Sequence, residues 1–172
     1  SGQVDLWGDG ASGYFLRKSG FDDPNGGILA LPFVGALAVS PAELDATLET
    51  QKVNTAGGAW NRYSFTDANG NGYGLVLDYG TSKLKIERRD AWAATHLATS
   101  TDALDPVMDL GEWFTLNLYR QGAQLTAEAY RGRVDPNDPA TPPPELTVSA
   151  TDATYNEFTL FGVLGGRDYD TD

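Results

Sequence analysis

Trp60 follows the flexible stretch Ala56-Gly57-Gly58-Ala59 and shares strand parity with Arg62 and Ser64, while Tyr63 and Phe65 take the other parity. Trp92 ends the polar junction Arg88-Arg89-Asp90-Ala91-Trp92. Asn117 and Tyr119 fall on the polar side of one alternating run, and Glu128 and Tyr130 on the polar side of the next. Flat rings beside amide, carboxylate and guanidinium groups are what a surface needs to hold a sugar. The rings pack on pyranose C–H groups and the polar side chains meet the hydroxyls. The expected ligand-binding set is therefore Trp60, Arg62, Trp92, Asn117, Tyr119, Glu128 and Tyr130. The competing readings are a core tryptophan at a strand edge for Trp60 and a plainly solvated face for the tyrosine-bearing runs.

Other chemistries leave weaker marks. Arg62, Lys85, Arg88 and Arg89 occupy consecutive runs and could form a basic patch for uronate or sulfated sugars, because arginine pairs bidentately with such anions. Cross-strand pairing with Glu49, Asp78 and Glu87 is the simpler reading. Calcium takes about six to eight oxygens. Asp22, Asp23 and Asn25 lie early in the chain, while Asp168, Asp170 and Asp172 lie last. A sandwich brings its first and last strands together, where unneutralised acids repel. A structural calcium held by Asp22, Asp23, Asn25, Asp168 and Asp170 is expected, serving stability and loop order. Asp67-Ala68-Asn69-Gly70-Asn71-Gly72 imitates the start of a calcium loop, but it lacks the downstream glutamate and reads better as a hairpin tip.

Catalytic signatures are missing. A retaining glycosidase places two carboxyls about 5 Å apart, and no Glu-x-Asp-x-x-Glu run supplies them. His96 is the only histidine and reads as an incidental loop residue. Gly-x-Ser-x-Gly, phosphate-loop and dinucleotide patterns are absent. One histidine without cysteine disfavours zinc.

The elements that must position these residues are short strands. Leu44, Ala46 and Leu48 alternate with polar residues, as do Tyr63 and Phe65, Leu75, Leu77 and Tyr79, Leu84 and Ile86, Phe114, Leu116 and Leu118, and Leu125, Ala127 and Ala129. Each run has one apolar face, as antiparallel sheets packed face to face require. Turn residues fall at 67–72, 79–83 and 120–123, and the proline-rich stretch 134–144 reads as a surface loop. Helix signals are confined to Ser40-Pro41-Ala42-Glu43 and to residues 91–97. The fold class expected is all-β: an antiparallel β-sandwich of jelly-roll type, with at most one or two short helical turns.

The chain has 172 residues and a net charge of −12, which suits one domain over 1–172, with 1–20 as an N-terminal strand and linker. So acidic a chain lacks the basic face that nucleic acid demands and the attraction that an anionic membrane surface exerts. No run reaches the ~18 apolar residues of a membrane span. It contains no cysteine. The opening Ser1-Gly2, without methionine or an apolar signal, reads as a processed or internal fragment.

The run Gly111-Glu112-Trp113-Phe114-Thr115-Leu116-Asn117-Leu118-Tyr119, a glycine turn, and then Leu125-Thr126-Ala127-Glu128-Ala129-Tyr130 resembles a hairpin of concanavalin A-like, laminin-G-like jelly rolls. Residues 158–166, followed by Tyr169 and Asp170, resemble the same group, and the likeness extends over residues 21–172. It implies a core position for Trp113, a structural calcium near the termini, and a closing strand after residue 172 or one supplied by residues 3–7. The group contains carbohydrate-binding modules, hydrolases, lyases, lectins and adhesion domains, so fold alone does not choose the function. The reading is a non-catalytic carbohydrate-binding module of a larger secreted or cell-surface bacterial protein, binding a polysaccharide or cell-surface glycan. The alternatives are a calcium-stabilised adhesin or scaffold domain, and an atypical polysaccharide hydrolase or lyase.

Overall fold

Strict alternation of apolar and polar side chains builds the molecule in layers. The computed structural model describes residues 3–8, 14–19, 29–32, 44–51, 59–158 and 160–167, with side chains described for 44–50 and 62–158. They form twelve strands and no helix: β1 (Gln3–Gly8), β2 (Tyr14–Ser19), β3 (Leu29–Pro32), β4 (Asp45–Gln51), β5 (Ala59–Thr66), β6 (Gly72–Asp78), β7 (Lys83–Asp90), β8 (Ala93–Thr99), β9 (Trp113–Gln121), β10 (Gln124–Arg131), β11 (Leu146–Thr151) and β12 (Leu160–Arg167). A six-stranded sheet runs β3-β12-β5-β6-β7-β8, a four-stranded sheet runs β11-β10-β9-β4, and β1 and β2 form a separate ribbon. Pairing is antiparallel throughout. The molecule is the β-sandwich that the alternation predicts.

The core lies between the two larger sheets. On the four-stranded sheet, Ala46, Leu118, Ala127 and Val148 stand in one cross-strand row and Leu48, Leu116, Ala129 and Leu146 in the next. Opposite them, Tyr63, Leu75 and Ile86 form a row of the six-stranded sheet, with Phe65 and Tyr73 alongside. Leu75, Leu84, Ile86, Phe114, Leu116 and Leu118 are fully buried, each contributing about 1.5–3 kcal/mol through removal from water.

The turns explain themselves. Asp67 Oδ1 accepts from the backbone N–H groups of Asn69 and Asn71, both at 2.8 Å, closing the β5–β6 tip, where Gly70 takes φ 79°. Residues 134–144 form a loop without strand, as their prolines require.

Three expectations meet a different outcome or none. Residues 91–97 form no helical turn; most of them belong to β8, which pairs with β7 from Lys85–Thr99 to Asp90–Ala93. Ladder hydrogen bonds on an open sheet edge outweigh the weak helical preference of alanines. Residues 40–43 lie outside the described residues. The strand flanking β12 is β3, whereas Gln3–Gly8 pairs with Tyr14–Ser19.

Candidate functional site

Alternation leaves each large sheet a polar outer side. On the four-stranded sheet, Thr47, Asn117, Glu128 and Thr147 make one cross-strand row. Asp45, Tyr119, Thr126 and Ser149 make the row on one side of it, and Glu49, Thr115 and Tyr130 the row on the other. Asp45, Thr47, Glu49, Thr147 and Ser149 are exposed and Tyr119 and Glu128 half-buried, so the face is open to solvent. Asn117, at its centre, is 8% exposed, and its Oδ1 is buried without a hydrogen-bond partner. Next to it the Tyr130 hydroxyl donates to Glu128 Oε2 at 2.8 Å. Burial, then the hydrogen bond to the Glu128 carboxylate, push the Tyr130 phenol far above its ordinary range. It therefore stays a hydrogen-bond donor throughout the neutral range.

The end of this face carries further aromatic surface. Trp113 has parity opposite to the buried Phe114 and is half-buried, which corrects its expected core position. The Arg133 guanidinium lies 4.9 Å from the Trp113 ring centroid and 2.7 Å from Glu49 Oε2. The Val134 N–H donates to Thr115 Oγ1 at 3.0 Å, tying the proline-rich loop to the sheet. A cavity of about 110 Å³ lies between sheet and loop, lined by Tyr130, Arg131, Val134, Pro142, Pro143 and Glu145.

The outer side of the six-stranded sheet is polar in another way. Glu87 is fully buried and is met by three basic side chains. Its Oε1 lies 2.8 Å from Arg62 Nη2 and from His96 Nε2; its Oε2 lies 2.7 Å from Arg62 Nε and 3.0 Å from Arg89 Nη2. Lys85 pairs with Asp78 at 2.7 Å. Arg88 takes the opposite parity, in the row of Phe65 and Tyr73, and pairs with Asp90 and Asp152 at 3.0 and 3.2 Å. The four basic residues singled out from the sequence are thus ion-paired, with Asp78 and Glu87 among the partners.

The seven residues of the expected binding set divide between the two sheets. Asn117, Tyr119, Glu128 and Tyr130 come together on one outer face. Arg62 belongs to the other sheet, where Trp60 is registered opposite Asp78. Trp92, half-buried at the β7–β8 turn, lays its indole against Gly70: a Cβ there would sit 2.4 Å from the ring. Sequence reasoning passed over His96 as a ligand to Glu87, Trp113 as a face residue, and the buried hydroxyls of Ser64 and Thr66. Asp22, Asp23, Asn25, Asp168 and Asp170 lie outside the described residues. Among the described residues no group of three or more acidic, histidine or cysteine side chains could hold a metal ion.

With this geometry in place, comparison with known proteins adds the fold. The chain is similar in structure to the carbohydrate-binding module CBM66 from Bacillus subtilis. The match covers 96% of this chain and 92% of that one, with a TM-score of 0.53 and 18% sequence identity. The CBM2 module of the evolved Dit of Lactobacillus casei BL23 phage J-1 matches over 84% of this chain and 70% of that one, with a TM-score of 0.40 and 13% identity. An uncharacterized protein of Methanocaldococcus jannaschii is 29% identical over 161 residues, which is 92% of this chain. The chain spans 15% of that relative's length. No family model matches the sequence.

Proposed function

We propose that this domain binds carbohydrate on the outer face of its four-stranded sheet. The observation that carries the reading is Asn117: a buried carboxamide oxygen without a partner, at the centre of an open face, next to a tyrosine–glutamate pair. An unpaired buried acceptor costs about 1–3 kcal/mol, and a sugar hydroxyl donating to it removes that cost. Glu128 offers a second acceptor, Tyr119 a ring for the C–H face of a pyranose, and Trp113 another ring at the end of the face. The fold likeness to CBM66 supports the same reading.

On this proposal the domain is one part of a larger secreted or cell-surface protein, and a polysaccharide or cell-surface glycan lies along the rows of the sheet. A calcium ion held by Asp22, Asp23, Asn25, Asp168 and Asp170 would steady the termini, and chelator would then lower the melting temperature.

Glycan-array binding followed by affinity electrophoresis tests the reading. The protein should be retained by at least one polysaccharide without releasing reducing ends or unsaturated products. Tyr119→Ala and Glu128→Gln should each weaken retention about tenfold or more, equivalent to ~1.4 kcal/mol, with melting temperature unchanged. Undiminished binding by both variants sinks the site, and product release replaces the binder with an enzyme.

A further inference from the structure

Glu87 is crowded. Four nitrogens of Arg62, Arg89 and His96 lie 2.7 to 3.0 Å from its two oxygens. Three donors in the same patch remain unserved: Arg89 Nε and the hydroxyls of Ser64 and Thr66 are buried without hydrogen-bond partners. All three residues are at most 3% exposed. A guanidinium Nε–H can only donate, so what satisfies it must bring an acceptor.

The register shows why these donors converge. Ser64 and Glu87 both stand opposite Gly74, and Thr66 and Arg89 both stand opposite Gly72. With no side chain on β6 at these rows, β5 and β7 face each other across two strand spacings, about 10 Å. The side chains of His96, 53% exposed, and Arg62, 18% exposed, carry the cluster to solvent. Burial holds the Arg89 guanidinium below its ordinary value, with Glu87 opposing the shift and Arg62 adding to it.

We propose that this patch is a second binding site, on the opposite side of the sandwich from the glycan face, which takes an anionic oxygen group, a carboxylate or a sulfate, between Arg89, Ser64 and Thr66. Such a group brings two or more acceptors to three orphaned donors, and arginine binds carboxylate and sulfate oxygens with charge-assisted hydrogen bonds. The site is independent of the carbohydrate reading, because its residues lie on a different sheet.

Melting temperature, with amide NMR shifts as a second readout, tests it. Sodium sulfate and sodium glucuronate are compared with sodium chloride at matched ionic strength and with glucose. At least one of the two anions should raise the melting temperature above the chloride control in a saturable way, and should shift amides of residues 62–66 and 87–89. A response to sulfate alone assigns a sulfate-type oxyanion, and a response to glucuronate alone a uronate carboxylate. Ser64→Ala combined with Thr66→Val should keep or raise the melting temperature in chloride, since those hydroxyls have no protein partner, and should weaken anion affinity about tenfold or more. Tyr119→Ala should leave anion binding intact even if it abolishes glycan retention. Neither anion exceeding chloride, or a double variant that binds as tightly as the parent, overturns the proposal.

Discussion

Tyr73 is wholly enclosed, yet its hydroxyl ties together groups far apart in the chain. It donates to Asp152 Oδ1 at 2.7 Å and accepts from the Tyr155 N–H at 3.2 Å, and burial raises its phenol to about 12. Tyr73→Phe removes this junction while keeping the ring, and should cost about 1–3 kcal/mol in urea unfolding. Burial alone would raise the Asp152 carboxyl. Hydrogen bonds from the Thr154 N–H, Tyr73 and Arg88 overcome it and hold the group at about 2, against an ordinary 3.8. A depressed carboxylate stabilises fully above its unfolded value and loses that contribution as pH falls through its folded one. Unfolding free energy should therefore drop by about 2 kcal/mol between about pH 5 and about pH 2 on account of this group. Asp152→Asn, already weakened at neutral pH, should remove that part of the slope, and an unchanged slope would count against the network. None of this was legible beforehand. Periodicity tells which side of a strand Tyr73 occupies, but not which residue of a distant loop arrives there.

Strands and hairpin tips were the legible elements, because a half-buried strand writes its period directly into the chain. The runs ending at Thr66, Asp78, Gln121 and Arg131 all lie where alternation put them. β8 was misread because an edge strand exposed on much of its surface shows no apolar alternation: Ala93, Ala94, Thr95 and His96 are all exposed. Its register slips at Ile86/Glu87, and that irregularity brings His96 opposite Glu87. The tip at Gly70 is bound to the β7–β8 turn by the Trp92 N–H donating to Gly70 O at 3.0 Å and by the indole stacked above. Gly70→Ala forces a left-handed alanine at φ 79° into that ring. It should lower the melting temperature by ~4–8 °C, roughly 2 kcal/mol, with a change in tryptophan fluorescence. A variant melting like the parent would show that the indole is not held there.

At the scale of the whole molecule, the sandwich separates what a single sequence runs together. Parity distinguishes inward from outward but not one outward side from the other, so Arg62 and Tyr119 looked like neighbours and belong to different sheets. The net charge of −12 makes the folded chain repel itself. Raising sodium chloride from about 10 mM to about 300 mM should therefore raise the melting temperature by a few degrees; a fall would mean that ion pairs such as Arg62–Glu87 outweigh the repulsion. The six-stranded sheet has one further consequence, because β12 pairs with β5 from Leu160–Thr66 to Arg167–Ala59 and separates it from β3. During synthesis, β4 to β11 leave the ribosome while this flank of β5 has no partner, presenting unpaired amides of the kind that recruit chaperones or other chains. Emergence of residues 160–167 is the event that closes the sheet. Protease resistance of stalled nascent chains should appear in one step as that segment clears the exit tunnel.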